Sequence, residues 1–211
     1  MFSRAQIDRG ANYVTPQGPG DGVLSQDQVL AVTTAGAGTL TAQALLSGVI
    51  DRSGPGGIYN ETLETADNLM AANPQLSVGD SWRVLFRNTV AFAATLVAAE
   101  GAELSGANTA CAASNAREYL VSVLATARRQ IFAGTVTNAS AVITGLTQAQ
   151  CQLLMPGMGV TGTNIPASTT VIGVNPTAGT VTMSANATGT ALVGATFFPR
   201  YNIKGLSTAT L

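Results

Sequence analysis

Glu61, Glu64 and Asp67 follow one another at intervals of three residues, a spacing that brings acidic side chains to neighbouring positions on a helix. Two carboxylates held together can take part in calcium binding or acid–base work, and Glu64 with Asp67 is the pair this chain offers. The surrounding sequence does not carry that chemistry further, because no Asp-x-Asp calcium loop accompanies them. A solvated helix face is the simpler reading, with Glu61 and Glu64 near the helix start, where the dipole favours anions.

The chain contains no histidine. That removes the usual general base, the commonest metal ligand and the side chain that changes charge near neutrality. Ser114 and Ser184 therefore lack the base of a hydrolase triad. The glycine-rich stretches GPGDG (Gly18–Gly22) and GPGG (Gly54–Gly57) do not lie between a strand and a helix with a lysine. They read as turns or flexible chain rather than nucleotide loops. Cys111 and Cys151 fall in segments assigned to different domains and read as two buried free thiols, with no zinc-ligand spacing. No catalytic residue, metal ligand or cofactor is expected.

Composition points the same way. Of 211 residues, 46% are apolar but only 10% are charged, against about 25% in ordinary soluble domains. By area scaling, a chain this long can bury roughly 70% of its extended surface, enough for real cores. The net charge is −1 and no basic stripe occurs, so no nucleic-acid partner is expected. No apolar run is long enough for a membrane-spanning helix. The N-terminal stretch lacks the apolar region of a signal peptide, so synthesis in a cytoplasm is expected. The charge is also unevenly spread: the 70 residues from Gln130 through Pro199 include no Asp, Glu, Lys or Arg.

Residues 1–28 read as an extended arm. Pro16, Gly18, Pro19, Gly20 and Gly22 oppose regular structure, and Phe2, Ile7 and Tyr13 supply scattered anchors. Fully extended, such an arm reaches roughly 90 Å. Residues 29–134 read as a β domain with a short helix near 62–72. LLSGVI (Leu45–Ile50) is a short buried strand. SWRVLFRN (Ser81–Asn88) alternates, with Trp82, Val84 and Phe86 on one side and Arg83, Leu85 and Arg87 on the other. Trp82 is assigned to the core, and Arg83 and Arg87 to solvent or a partner. EYLVSVLA (Glu118–Ala125) alternates again through Tyr119, Val121 and Val123.

Residues 135–198 read as a second, uncharged β module of short Val-, Ile- and Thr-rich strands, with a single helical turn in Gln148–Leu154 and a turn at NPTAGT. Residues 199–211 are a tail or a last strand that pairs with another chain. The expected fold class is all-β: a sandwich or barrel with one short helix, a second small β module and an extended N-terminal arm.

A surface of Thr, Ser, Asn, Ala and Gly loses little on contact, because hydroxyls and amides are satisfied by hydrogen bonds whereas buried charges are costly. Such a surface carries no repulsion between identical copies. Charges normally blunt exposed strand edges, so the edges of this module are expected to be closed in a barrel or covered by sister subunits. The stretch LMPGMGVTGTNIPASTTVIGVNPTAGTVTMSANATGT (Leu154–Thr190) resembles a module of tailed-bacteriophage virion proteins. The segments LLSGVI, VGDSWRVLFRNT and REYLVSV resemble β-rich capsid accessory proteins of the decoration, or cement, type.

The resemblance implies a non-enzymatic structural protein on the capsid surface of a virion. Its implied partners are the major capsid protein and further copies of itself in a homotrimer. An alternative is a fibre or adhesin component that presents the uncharged module to host glycans. The residues expected at capsid or subunit contacts are Phe2, Arg4, Ile7, Arg9 and Tyr13 in the arm, Arg83 and Arg87 on their strand, and Arg200, Tyr201 and Lys204 in the tail.

Overall fold

A computed structural model describes residues 28–106 and 109–210; apart from Gln28, the expected arm lies outside them. The chain divides into two compact units. One is Leu124–Arg200, and the other joins the residues up to Val123 with those from Tyr201 onward. The fold is mainly β, as the alternating patterns imply, with three short helices among the described residues.

The first unit is built from β1 (Gln28–Val32), β2 (Gly38–Leu40), α1 (Ala42–Leu46), β3 (Gly48–Arg52), β4 (Tyr59–Leu63), α2 (Ala66–Ala72), β5 (Ser81–Asn88), β6 (Ala94–Val97), β7 (Ala102–Ser105), β8 (Ala110–Cys111) and β9 (Asn115–Ala125). Up to β9 the strands alternate between two sheets, the odd-numbered in one and the even-numbered in the other. Within one sheet β1, β3 and β5 run parallel, and within the other β2, β4 and β6 do. Parallel neighbours need a crossover between them, and here the crossover is a strand of the opposite sheet. β9 then runs antiparallel to β5 over its full length, from Ser81 opposite Ser122 to Asn88 opposite Asn115.

The inward faces follow the sequence alternation. Trp82, Val84 and Phe86 of β5 and Tyr119, Val121 and Val123 of β9 are buried with Leu40, Leu63 and Leu96 of the other sheet. Each buried Val, Leu or Phe among them contributes about 1.5–3 kcal/mol.

Two local expectations change. Leu45 and Leu46 belong to α1, not to a strand, and β3 starts only at Gly48. Thr41 caps this helix by accepting from the Ala44 amide, and the Ser47 hydroxyl donates to the Ala44 carbonyl. The helix expected near 62–72 is confined to Ala66–Ala72. Its cap is Thr65, which accepts from the Asn68 amide. Glu61 instead lies in β4.

The second unit contains β10 (Gln130–Val136), β11 (Val142–Thr144), α3 (Gln148–Cys151), β12 (Gly159–Thr161), β13 (Val171–Asn175), β14 (Thr180–Met183) and β15 (Ala191–Phe198). The unit starts at Leu124, ahead of residue 135, because β10 pairs with β15 along seven residues, from Gln130 opposite Phe197 to Val136 opposite Ala191. The strand order is β12-β15-β10-β11-β14-β13. The two outer strands then meet: Gly159 bridges Thr170, the Val160 amide donates to the Thr169 carbonyl, and the Val171 amide donates to the Met158 carbonyl. The sheet thereby closes into a small barrel around Val136, Ile143, Met158, Val160, Val181, Ala195 and Phe197.

Closure depends on a close approach at Gly159, where a Cβ would overlap the Phe198 ring. The NPTAGT turn uses Gly179 at φ +64°, where a Cβ would collide with the Leu146 carbonyl.

The chain then returns to the first unit as β16 (Arg200–Thr210), which lies between β9 and β7. Tyr201–Lys204 pair in parallel with Ala102–Ser105. The strand expected to pair with another chain therefore completes a sheet of its own chain. Tyr201 and Ile203 alternate into the core, and the Tyr201 hydroxyl donates to the Glu64 carbonyl at 2.6 Å.

Candidate interaction surface

The acidic trio does not form a site. Glu61 is fully buried on β4, and its Oε1 accepts from Arg52 Nε at 2.5 Å. Glu64 sits at the helix entrance, where Oε1 accepts from the Thr65 amide and from Asn68 Nδ2. That engages its Oε1 in local capping of α2. Among the described residues, no group of three or more Cys, Asp or Glu side chains lies close enough to hold a metal ion. The cavity between the two sheets of the first unit is lined by core side chains such as Leu40, Ile50, Phe86 and Val121. No converging set of polar groups lines it.

The Arg52–Glu61 pair was not legible in the sequence. Arg52 extends from the end of β3, fully buried. Its Nη1 donates to the carbonyls of Val32, Thr34 and Ser53, and its Nη2 donates to Gly36. The guanidinium also lies 5.1 Å from the centre of the Tyr59 ring. Tyr59 donates to Asn88 Oδ1 at 2.8 Å, and Asn88 Nδ2 donates to the carbonyls of Phe92, Cys111 and Ala112. This network ties together β3, β4, β5 and the loops beside them. Burial raises the Glu61 carboxyl above its ordinary range, and Arg52 offsets part of that rise. Burial likewise pushes the Tyr59 phenol upward. The arrangement is a structural hub: every donor of Arg52 named here is engaged, and no cleft opens on it.

The expected contact residues have different fates. Phe2, Arg4, Ile7, Arg9 and Tyr13 lie outside the described residues. Arg83 is exposed and donates from Nη1 to both carboxylate oxygens of Glu118 at 3.0 and 3.1 Å. Arg87 is half-buried and pairs with Asp51 at 3.1 Å. Arg200 is half-buried and donates to the Gly157 carbonyl. Lys204 is exposed on β16. Tyr201 requires a correction: at 0% exposure it is a core residue, not a contact residue. Both cysteines are buried and free.

The residues that sequence reasoning did not single out lie on the outside of the barrel. On β10 the outward residues are Ile131, Ala133 and Thr135, and on β15 they are Leu192, Gly194 and Thr196. The register places Ile131 opposite Thr196, Ala133 opposite Gly194 and Thr135 opposite Leu192. Thr161 of β12 adjoins Thr196, and Thr144 of β11 adjoins Thr135. Leu192 is 76% exposed and Ile131 is 66% exposed. This uncharged face ends at Phe198, over whose ring the Arg129 guanidinium lies at 5.6 Å. The signal was present in the alternation of β10 and β15, whose outward positions are apolar, small or threonine where a solvated strand carries charge.

No family model, no curated protein and no solved structure matches the chain.

Proposed function

We propose that the chain is a non-catalytic structural protein of a bacteriophage particle, which decorates the capsid and stabilises it by binding the assembled lattice of major capsid protein. The observation that carries this reading is the barrel without a charged side chain from Gln130 through Pro199, whose outer face displays Leu192 and Ile131. An uncharged face with exposed Leu192 and Ile131 among threonines suits a protein that works while covered by neighbours. Binding only the assembled shell stabilises that state by mass action. Contacts above about 1,000 Å² per site would be needed for a specific interface.

The experiment compares particles with and without this protein. Particles that lack it are expected to lose their contents at lower temperature, and quantitative gel densitometry should count hundreds of copies per particle. Unchanged heat and low-salt stability on deletion would refute the cement role. A second reading, an adhesin that presents hydroxyls to host glycans, is favoured by the outward threonines Thr135, Thr144, Thr161 and Thr196. Glycan-array binding together with only a few copies per particle would select it.

A further inference from the structure

The outer face of β10 and β15 has an internal symmetry. In an antiparallel pair a local two-fold axis passes between opposed residues. The axis between Ala133 and Gly194 exchanges Ile131 with Leu192 and Thr135 with Thr196. Two large apolar side chains therefore stand at opposite corners of the patch, and two threonines stand at the other corners. The centre is shallow: Ala133 carries only a methyl group, and a Cβ on Gly194 would meet no atom within 4 Å.

We infer that this face is a pairing surface for a second copy of the same chain. When two such faces meet about a two-fold axis parallel to the strands, Ile131 of one copy falls over Thr196 of the other. Leu192 falls over Thr135, so the projecting side chains do not collide head-on. The Ala133 and Gly194 centres meet near the axis, where the absence of side chains lets the sheets approach. An isologous contact demands this kind of self-complementarity. It also demands that like charges not oppose each other. From Gln130 through Pro199 there is no ionisable side chain except the buried thiol of Cys151, so the six facing positions bring no like charges together, and the nearest cation, Arg129, stands at the end of the face over the Phe198 ring. Aligned packing of two twisted sheets is an ordinary way to bury such surfaces.

The inference rests on the reading of the second unit as a contact module, and it adds the partner and the residues. The test uses the full chain in sedimentation velocity over a range of micromolar concentrations. The wild-type protein is expected at about twice 21.3 kDa. Leu192→Asp and Gly194→Lys should each sediment as the single chain, with unchanged circular dichroism. Both positions are exposed, so neither change disturbs a core. Ile58→Asp, at a site 82% exposed in the first unit, should leave the pair intact. A wild-type monomer at all concentrations overturns the pairing, whether the face is covered by residues 1–27 or by another protein. A trimer, or a dimer indifferent to Leu192→Asp and Gly194→Lys, overturns it too. A monomer that still binds and stabilises capsids would sink the pairing alone and leave the decoration role standing.

Discussion

The two units bury similar kinds of side chain but treat charge in opposite ways. The first unit takes an ion pair into its interior and arranges backbone carbonyls around it. The second, from Gln130 through Pro199, manages with hydroxyls, amides and backbone, and its arginines stand only at the ends of that run. Thr147 and Gln150 form a reciprocal capping box at α3, and the buried Thr169 hydroxyl donates to the Pro166 carbonyl at 2.6 Å. They also differ in how strands find partners. In the first unit the chain crosses between sheets at each step and needs a distant strand, β16, to complete one of them. In the second, antiparallel neighbours curl until the outer strands meet. A barrel with closed edges does not need charged gatekeepers against strand addition. The uncharged run is thus compatible with a well-formed fold, and its lack of charge is not a demand of the barrel itself.

The largest expected effect comes from the buried pair of the first unit. Arg52→Ala leaves Glu61 buried without its cation, and removing one partner of a buried pair costs about 3–5 kcal/mol. Trp82 is the sole tryptophan and lies in the first unit, so its fluorescence reports that unit in urea denaturation. The midpoint followed by Trp82 should fall sharply, while hydrogen exchange of β10 and β15 stays unchanged. The double change Arg52→Met with Glu61→Leu should recover much of the loss, because a hydrophobic pair removes the uncompensated charge. Equal loss of protection in both units would show that they unfold as one block.

Alkaline pH should separate the units next. Tyr59, Tyr119 and Tyr201 all lie in the first unit, and burial raises each of their phenols above the ordinary value near 10. For groups raised by folding, the stability they allow is fully present below the unfolded value. It is lost as pH rises toward the folded value, because the unfolded tyrosines ionise first. Above pH 10 the loss is about 1.4 kcal/mol per pH unit for each tyrosine. The barrel contains no tyrosine; its one titrating group is the Cys151 thiol, which burial also raises. In isoleucine-methyl NMR spectra, the Ile50 and Ile203 signals should collapse before those of Ile143 and Ile165. The reverse order would contradict this assignment of buried phenols.

What the sequence made legible divides along the same line. Alternation in Ser81–Asn88 and Glu118–Ala125 identified the strands and their inward faces, because period-two burial is a local property. The buried cysteines and the NPTAGT turn were readable for similar reasons. The Arg52–Glu61 pair was not, since it joins residues nine apart on strands of different sheets, and a charged residue read alone is assigned to solvent. The three-residue spacing of Glu61, Glu64 and Asp67 mimics a helix face, but the helix starts five residues after Glu61. The burial of Tyr201 depends on β16 lying between β9 and β7, a non-local placement that no pattern within the tail conveys. The barrel face was half legible: its lack of charge was evident, but only the register of β10 with β15 brings Ile131, Leu192, Ala133 and Gly194 into one patch.

The smallest effect sharpens the contrast within the first unit itself. Arg83 shares Nη1 between both Glu118 carboxylate oxygens on the outer face of β5 and β9, but the Arg83 side chain is 68% exposed. Exposed pairs contribute about 0–1 kcal/mol, because water screens the attraction and ordering two long side chains costs entropy. Arg83→Ala should therefore lower the Trp82-monitored stability by less than about 1 kcal/mol. A double-mutant cycle with Glu118→Ala should give a coupling that shrinks further in high salt. A large, salt-independent coupling would mean that this face is dry, as it would be beneath a bound partner. Under the proposed decoration role, the same cycle on particle-bound protein should give a larger coupling than on the free chain, since covering Arg83 and Glu118 removes the screening water.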